Sequence, residues 1–341
     1  MPRPIQLSIP YNQDLDLIKK IIKYKDYIHS LYLPSHPKIM GSGRSSFLCI
    51  KGGKKPKYFN LDTTYYNEEI DWIINKLKQN KIKTFLLLNA LWDGLKYTSP
   101  NNIGKLINYI ASFENLYGVV VTNLFYARAI KEELPHIKIK ASLNADIDSI
   151  TRALYWKDFC GIDYITISED INKNLELIKK IKEATQAKIE VIVNNPCLPL
   201  CPLRIQHQNY ESHVDLLFRA QETFRGYPLK DLCLKIQMNT RPEILLNNNY
   251  ITPYNLRYYK DMVDVFKIAG RDRTTNFILN EIKRYVEGKS TYSEFLHTNE
   301  PPEIFKQITK CDRKCTNCNW CKDIYERLIK NQRVENIPKE R

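Results

Sequence analysis

Residues 118–142, GVVVTNLFYARAIKEELPHIKIKAS, decide the fold because they place two short apolar strands around one amphipathic helix. Gly118 to Thr122 and Lys138 to Ser142 have strand patterns, and Phe125 to Leu134 has a helix pattern. This order is typical of parallel β-sheets. The alternation extends in both directions and predicts strands at Ile5 to Ile9, Ile28 to Leu33, Thr84 to Asn89, Tyr164 to Ser168, Ile189 to Asn194 and Val265 to Ile268.

Eight strand and helix repeats predict an α/β fold, a (β/α)8 barrel of the TIM type. Strand counting leaves a doubly wound sheet open as the alternative. We expect the barrel to occupy residues 1–290, with a cysteine-containing insertion at 195–263 and a Cys-rich module at 291–341. Further helices are predicted at Asp14 to Tyr24, Glu68 to Gln79, Ile171 to Ala184 and Thr274 to Val286.

The composition is that of a globular protein, with 43% hydrophobic and 26% charged residues among 341. We find no apolar run of membrane-spanning length and no signal-peptide pattern, and therefore expect a soluble, cytoplasmic protein. The formal net charge of +14 is spread along the chain. Such a charge is compatible with an RNA partner, but also with lysine-rich solvated faces.

The nine cysteines include four within eleven residues, Cys311, Cys315, Cys318 and Cys321. The last three form a C-x2-C-x2-C run, which brings three thiolates around one centre and leaves a position for a remote ligand. This spacing favours an iron-sulfur cluster, and zinc is the alternative. A disulfide framework is disfavoured in a large chain with no secretion signal.

A second cysteine segment follows the strand at Ile189 to Asn194. Cys197 and Cys201 lie in a proline-containing loop, and Cys233 could complete a set of three thiolates. A helix begins next and presents Arg204 and His207 on adjacent turns. His207 could act as an acid or base, as a donor to cluster sulfur, or as a helix cap.

Polar residues follow most of the predicted strands. In a barrel these positions meet at one end, where the βα loops form the active face. Arg271, after the last strand, and Arg44, in Gly41-Ser-Gly-Arg44, are candidates to bind an anion. Glu169 is a candidate to move protons. The candidate substrate-binding residues at this end also include Asn89, Ser142, Asn144, Asn194 and Arg204.

Several of these segments resemble the collagenase-like peptidase family U-32. They are Gly118-Val-Val-Val-Thr, Lys140-Ala-Ser-Leu-Asn144, Thr166-Ile-Ser-Glu169, Glu190-Val-Ile-Val-Asn before Cys197, and Lys267-Ile-Ala-Gly-Arg271. The resemblance covers roughly residues 1–290. It implies an iron-sulfur cluster on Cys197, Cys201 and Cys233. It also implies an oxygen-independent hydroxylation of RNA or of a small aromatic substrate, with prephenate as a co-substrate in some members.

We therefore expect an iron-sulfur enzyme with one or two 4Fe-4S clusters, in which Glu169, His207 and Arg271 have catalytic roles. The partners expected are a small anionic, prephenate-like co-substrate, RNA, and a second subunit in a homodimer or heterodimer. The first alternative is a collagenase-like peptidase, although no H-E-x-x-H motif is present. The second is a non-catalytic, cluster-stabilised subunit that binds RNA or a partner protein.

Overall fold

The computed structural model describes residues 4–36, 39–40, 63–91, 99–195, 197–219, 248–289, 307–311, 318–324 and 326. Eight parallel strands pair in sequence order and close into a barrel. Closure is made by β1 and β8, where Leu7 pairs with Phe266 and Ser8 with Lys267. The (β/α)8 barrel is thereby confirmed, and the doubly wound sheet is excluded because an open sheet leaves its edge strands unpaired.

The strands are short and match the predicted segments to within a few residues. Their bounds are β1 Leu7–Pro10, β2 Ile28–Pro34, β3 Lys83–Leu88, β4 Gly118–Val121, β5 Lys138–Ala141, β6 Tyr164–Thr166, β7 Lys188–Ile192 and β8 Val265–Lys267. The prediction extended β6 to Ser168, but the strand ends earlier because the Ser168 hydroxyl accepts a hydrogen bond from Asp170 N and begins a 3-10 turn, Glu169–Ile171.

The helices follow the strands around the outside of the barrel. They are α1 Leu15–Ile21, α2 Thr63–Gln79, α3 Pro100–Ala111, α4 Leu124–Glu133, α5 Ile150–Cys160, α6 Leu175–Thr185, α7 Arg204–Arg219 and α8 Thr275–Glu287. The prediction began α6 at Ile171, four residues early. Asn174 sets the true start, since its side chain accepts a hydrogen bond from Leu177 N.

The apolar core lies between the strands and the helices. Alternate strand residues such as Ile139, Ala141, Ile189 and Val191 are fully buried in it. The residues between them face the barrel interior, because successive side chains of a strand point to opposite faces. A smaller cluster fills that interior and consists of Tyr32, Phe85, Leu87, Val120 and Tyr164.

Candidate functional site

A cavity of about 190 Å³ opens at the end of the barrel where the strands terminate. Its floor is formed by barrel-interior residues, including Tyr32, Ile192 and Lys267. Its walls come from the loops after β3, β5, β6, β7 and β8. The loops supply Asn89, Asn144, Glu169, Asn195, Cys197, Cys201 and Arg271, and helix α7 supplies Arg204, His207 and Glu211. The cavity therefore lies at the face where barrel enzymes carry their active sites.

The cysteine loop after β7 is held by Asp170 and Arg204. One Asp170 oxygen accepts a hydrogen bond from Leu200 N at 2.7 Å. The same oxygen forms an ion pair with Arg204 at 2.8 Å. Arg204 also donates to the carbonyl of Leu198 at 2.9 Å. Leu200 lies in the left-handed region at φ 49°, which costs a non-glycine residue about 1 kcal/mol. These contacts offset that cost and fix the segment between Cys197 and Cys201.

Glu169 is almost completely buried beside this loop. Its carboxylate accepts a hydrogen bond from the Asn195 side chain and another from the Cys197 thiol. Burial raises the pKa of the Glu169 carboxyl, although the charge of Arg204 and both hydrogen bonds oppose the shift. The structure thus places a buried carboxyl next to a thiol, and the proton-transfer role of Glu169 stays a prediction.

Asn89, Ser142 and Asn144 form one hydrogen-bonded group on the opposite wall. The Asn89 amide donates to the Ser142 hydroxyl at 3.1 Å, and the Asn144 amide donates to the carbonyl of Asn89 at 3.0 Å. Ser142 is fully buried and is not among the lining residues, so it orients Asn89 rather than facing the cavity. Asn89 and Asn144 both line it.

Asn194 does not reach the cavity. Its side chain accepts from Ala269 N at 2.7 Å and donates to the carbonyl of Ala269 at 3.0 Å, so that it ties the end of β7 to the loop after β8. It also donates to Glu281 of α8 at 3.2 Å. The next residue, Asn195, lines the cavity instead. The sequence predicted Asn194 and not Asn195 as a cavity residue, because it does not show that the chain turns between the two asparagines.

His207 and Arg271 both line the cavity, as the sequence predicted for strand-end and helix-start residues. His207 Nε2 lies 3.5 Å from a carboxylate oxygen of Glu211, one turn further along α7. Arg271 is buried at the exit of β8. Two arginines, a histidine and two thiols thus share one opening with Glu169.

The barrel interior beneath the cavity contains ionised groups that sequence reasoning missed. Lys140 and Glu190 form an ion pair at 2.5 Å with both side chains 1% exposed. Lys267 lies 3.9 Å from the other carboxylate oxygen of Glu190, which also accepts from Thr166 at 2.9 Å. The available signal was a charged residue between apolar ones in β5, β7 and β8.

Burial shifts the pKa values of these groups in opposite senses. Burial lowers the pKa of Lys267 to about 8; Glu190 opposes the shift, and the charges of Lys140 and Arg271 reinforce it. Burial alone would raise the pKa of Glu190, but the charges of Lys140 and Lys267 and the hydrogen bonds from Lys140 and Thr166 hold it below its usual value. Glu190 is therefore an anion at neutral pH.

Three predicted residues, Arg44, Cys233 and Cys315, lie outside the described residues. In the C-terminal part, Cys311 and Cys318 are exposed and Cys321 is half-buried. Among the residues that the structure does describe, no three His, Cys, Asp or Glu side chains converge to hold a metal ion. The described helices include none that is long and apolar enough to cross a membrane.

Fold and cavity together define a class of protein, a (β/α)8 barrel with a cavity at the carboxyl ends of its strands that is lined by thiols, arginines and a buried carboxyl. The model of peptidase family U32 matches residues 54–199, which include β3 to β7 and Cys197. The resemblance to family U32 that the sequence indicated is thereby confirmed.

Two similar proteins match the chain over more of its length. A protein of Methanocaldococcus jannaschii, described as an uncharacterized protease, is 26% identical over 346 residues, 95% of this chain and 96% of its own length. The solved structure of the U32 peptidase Mk0906 superposes with a TM-score of 0.55 and 16% identity, over 79% of this chain and 94% of that one. At this identity, the second match supports the fold alone.

Proposed function

We propose that the protein is an iron-sulfur enzyme that carries out an oxygen-independent hydroxylation, or a related redox modification, of RNA or of a small aromatic or anionic substrate. The observation that carries the proposal is the meeting of Cys197 and Cys201 with Glu169, Arg204 and Arg271 around one cavity. Soft thiolate ligands select iron-sulfur clusters, and nearby cations favour the thiolate form.

The described residues fit two of the thiolate ligands that such a cluster needs. Cys197 and Cys201 lie in a loop fixed by Asp170 and Arg204, and both line the cavity. The third ligand would be Cys233. When bound, a cluster of this kind supplies a redox-active, Lewis-acidic iron.

The chain's own residues have separate tasks in this proposal. Arg271 would bind an anionic group of the substrate or co-substrate, for which a prephenate-like carboxylate is suitable. Asn89 and Asn144 would orient the substrate from the opposite wall. Glu169 would hold a proton beside Cys197, because burial keeps its pKa above that of an exposed carboxyl. His207, at the mouth of the cavity, would exchange protons with water.

The first test is the metal content of anaerobically purified protein. We expect iron and acid-labile sulfide in near-equal amounts. The Cys201→Ala variant should lose the iron and sulfide of the cluster that Cys197, Cys201 and Cys233 would hold. Cys160→Ala is the matched control, since Cys160 is a buried thiol at the end of α5, and burial raises its pKa to about 12. Stoichiometric zinc without sulfide would contradict the proposal.

The C-terminal cysteines need a separate variant. Cys318→Ala should lower the iron content below that of the wild type while leaving the circular dichroism of the barrel unchanged, because none of the described residues of this segment belongs to the barrel core. The reaction is then tested with the reconstituted protein, RNA and prephenate, by mass spectrometry for the gain of one oxygen atom. A Cys318→Ala variant with full turnover would assign the C-terminal cluster to structure or electron storage.

Peptide hydrolysis is the second candidate function, favoured by the names of the family and of the Methanocaldococcus jannaschii relative. The cavity contains the residue types of a cysteine peptidase, with Cys201, His207 and Glu211 in its lining. Cleavage of gelatin by iron-free protein, lost in His207→Ala and in Cys201→Ala, would favour this function over the first.

A further inference from the structure

Lys267 is an amine at the base of the cavity for which the proposed hydroxylation has no use. It is the last residue of β8, and its neighbours Phe266 and Ile268 face the outer core, so its side chain points into the barrel. The side chain is 10% exposed and its ammonium group lies over the ring of Tyr32, 4.8 Å from the ring centre. The residue lines the cavity, and a ligand that enters can therefore reach it.

The surroundings of Lys267 raise the fraction of the neutral, nucleophilic amine. Burial is the main cause of its lowered pKa of about 8, and the charges of Lys140 and Arg271 act in the same direction. At pH 7 such a group is neutral about 200 times more often than an ordinary lysine. Glu190 lies next to the amine, on the side away from the opening, and its negative charge limits how far the pKa of Lys267 is lowered.

The same opening offers a binding group for an anion. Arg271 follows Lys267 by four residues, at the exit of β8, and lines the cavity with it. A guanidinium binds a carboxylate through two parallel hydrogen bonds and would hold a small molecule by that end. A ligand that carries a carboxylate next to a carbonyl group would then present its carbonyl carbon towards the floor, where the amine lies.

We propose that Lys267 captures a small 2-oxo acid as an imine, with Arg271 binding its carboxylate. The lysine nitrogen adds to the carbonyl carbon to form a carbinolamine. Loss of the hydroxyl group with a proton then releases one water and leaves the carbon-nitrogen double bond. No oxidant or reductant takes part, and the step is independent of the iron-sulfur cluster, so either proposal can fail without the other.

The experiment traps the imine in the full-length protein as purified, with pyruvate as the probe and sodium cyanoborohydride as the reductant. Reduction fixes the imine as a stable secondary amine, which mass spectrometry of peptides locates. We expect about one adduct per chain, on Lys267, and none there in Lys267→Met or Lys267→Arg. Methyl pyruvate lacks the carboxylate and loses a charged hydrogen bond. We therefore expect it to react at least roughly tenfold more slowly than pyruvate.

Lys83 is the matched control. It lies at the start of β3, at the opposite end of the barrel, and burial lowers its pKa as well. Lys83→Met should keep the Lys267 adduct, and Lys83 itself should remain unmodified if the cavity, rather than pKa alone, selects the site. An adduct spread over several lysines, or equal rates for pyruvate and its methyl ester, would overturn the proposal. Because the wild-type peptide map decides the site, the test survives a misfolded Lys267 variant.

Discussion

Replacing Glu190 by Gln should destabilise the barrel more than any single change to its lysine partners. At an effective dielectric constant of about 20, its attraction to Lys140 at 2.5 Å is worth about 7 kcal/mol, and that to Lys267 at 3.9 Å about 4 kcal/mol, before desolvation. Glu190→Gln removes both and leaves two ammonium groups in the same interior. We expect a loss of about 3–5 kcal/mol in the free energy of unfolding.

Lys140→Met should cost less, about 1–2 kcal/mol. Glu190 then keeps Lys267 at 3.9 Å and the Thr166 hydroxyl at 2.9 Å, so its charge stays compensated. The methionine also refills the space beside Phe85, over whose ring the Lys140 ammonium now lies at 4.0 Å. The asymmetry follows from the count of partners, since the carboxylate has two cations and each cation has one carboxylate.

The measurement is urea unfolding at pH 7, followed by far-ultraviolet circular dichroism, for both single variants and for Lys140→Met with Glu190→Gln. The double variant should lose about 1–3 kcal/mol less than the sum of the single losses, because the two residues are in contact. Equal losses for the two single variants, or strict additivity in the double variant, would show that the pair does not act as a unit in the barrel interior.

Two further predictions concern Lys267 and Gly118. The pKa of Lys267 is lowered to about 8 in the folded protein and is near 10.4 in the unfolded chain, so its charge opposes folding below pH 8 and the penalty falls away as the pH rises through 10.4. Urea unfolding should show Lys267→Met more stable than the wild type by on the order of 3 kcal/mol at pH 7 and by less than about 1 kcal/mol at pH 10. Gly118→Ala should lower the melting temperature, since its new Cβ would lie 2.4 Å from the Lys138 carbonyl oxygen, whereas Gly104→Ala in α3, with open space around it, should gain about 0.5–1 kcal/mol.

The barrel could be predicted from the sequence because each strand is recognisable from its own few residues. Each of the eight is a short apolar run bounded by turn residues, and sequential strands of a barrel pair in chain order. The same logic placed Glu169 and Arg271 at one end, since each follows a parallel strand. Element boundaries are harder to predict, because capping residues such as Asn174 end or begin elements inside continuous apolar patterns.

The ionic cluster could not be predicted in the same way. Lys140 and Glu190 are 50 residues apart. A charged residue between apolar ones is a local signal, but it does not say which charged residues meet. Their meeting depends on strand register, which pairs β5 with β6 and β6 with β7. Asn195, and not the predicted Asn194, lines the cavity for a similar reason. The direction of a side chain in a loop depends on its tertiary contacts, which the sequence does not show.

The ionic cluster also connects the stability of the barrel with the chemistry of the cavity. Glu190 compensates the charge of Lys267 and so limits how far its pKa falls, yet Lys267 still opposes folding at neutral pH. A methionine would fill the same space without that penalty, so folding alone gives no reason for an amine at the base of the cavity. If Lys267 captures a carbonyl compound, Lys267→Met should gain stability and lose adduct formation together, the trade-off expected of a functional residue. A variant that gained stability and kept the adduct elsewhere in the cavity would separate the two effects.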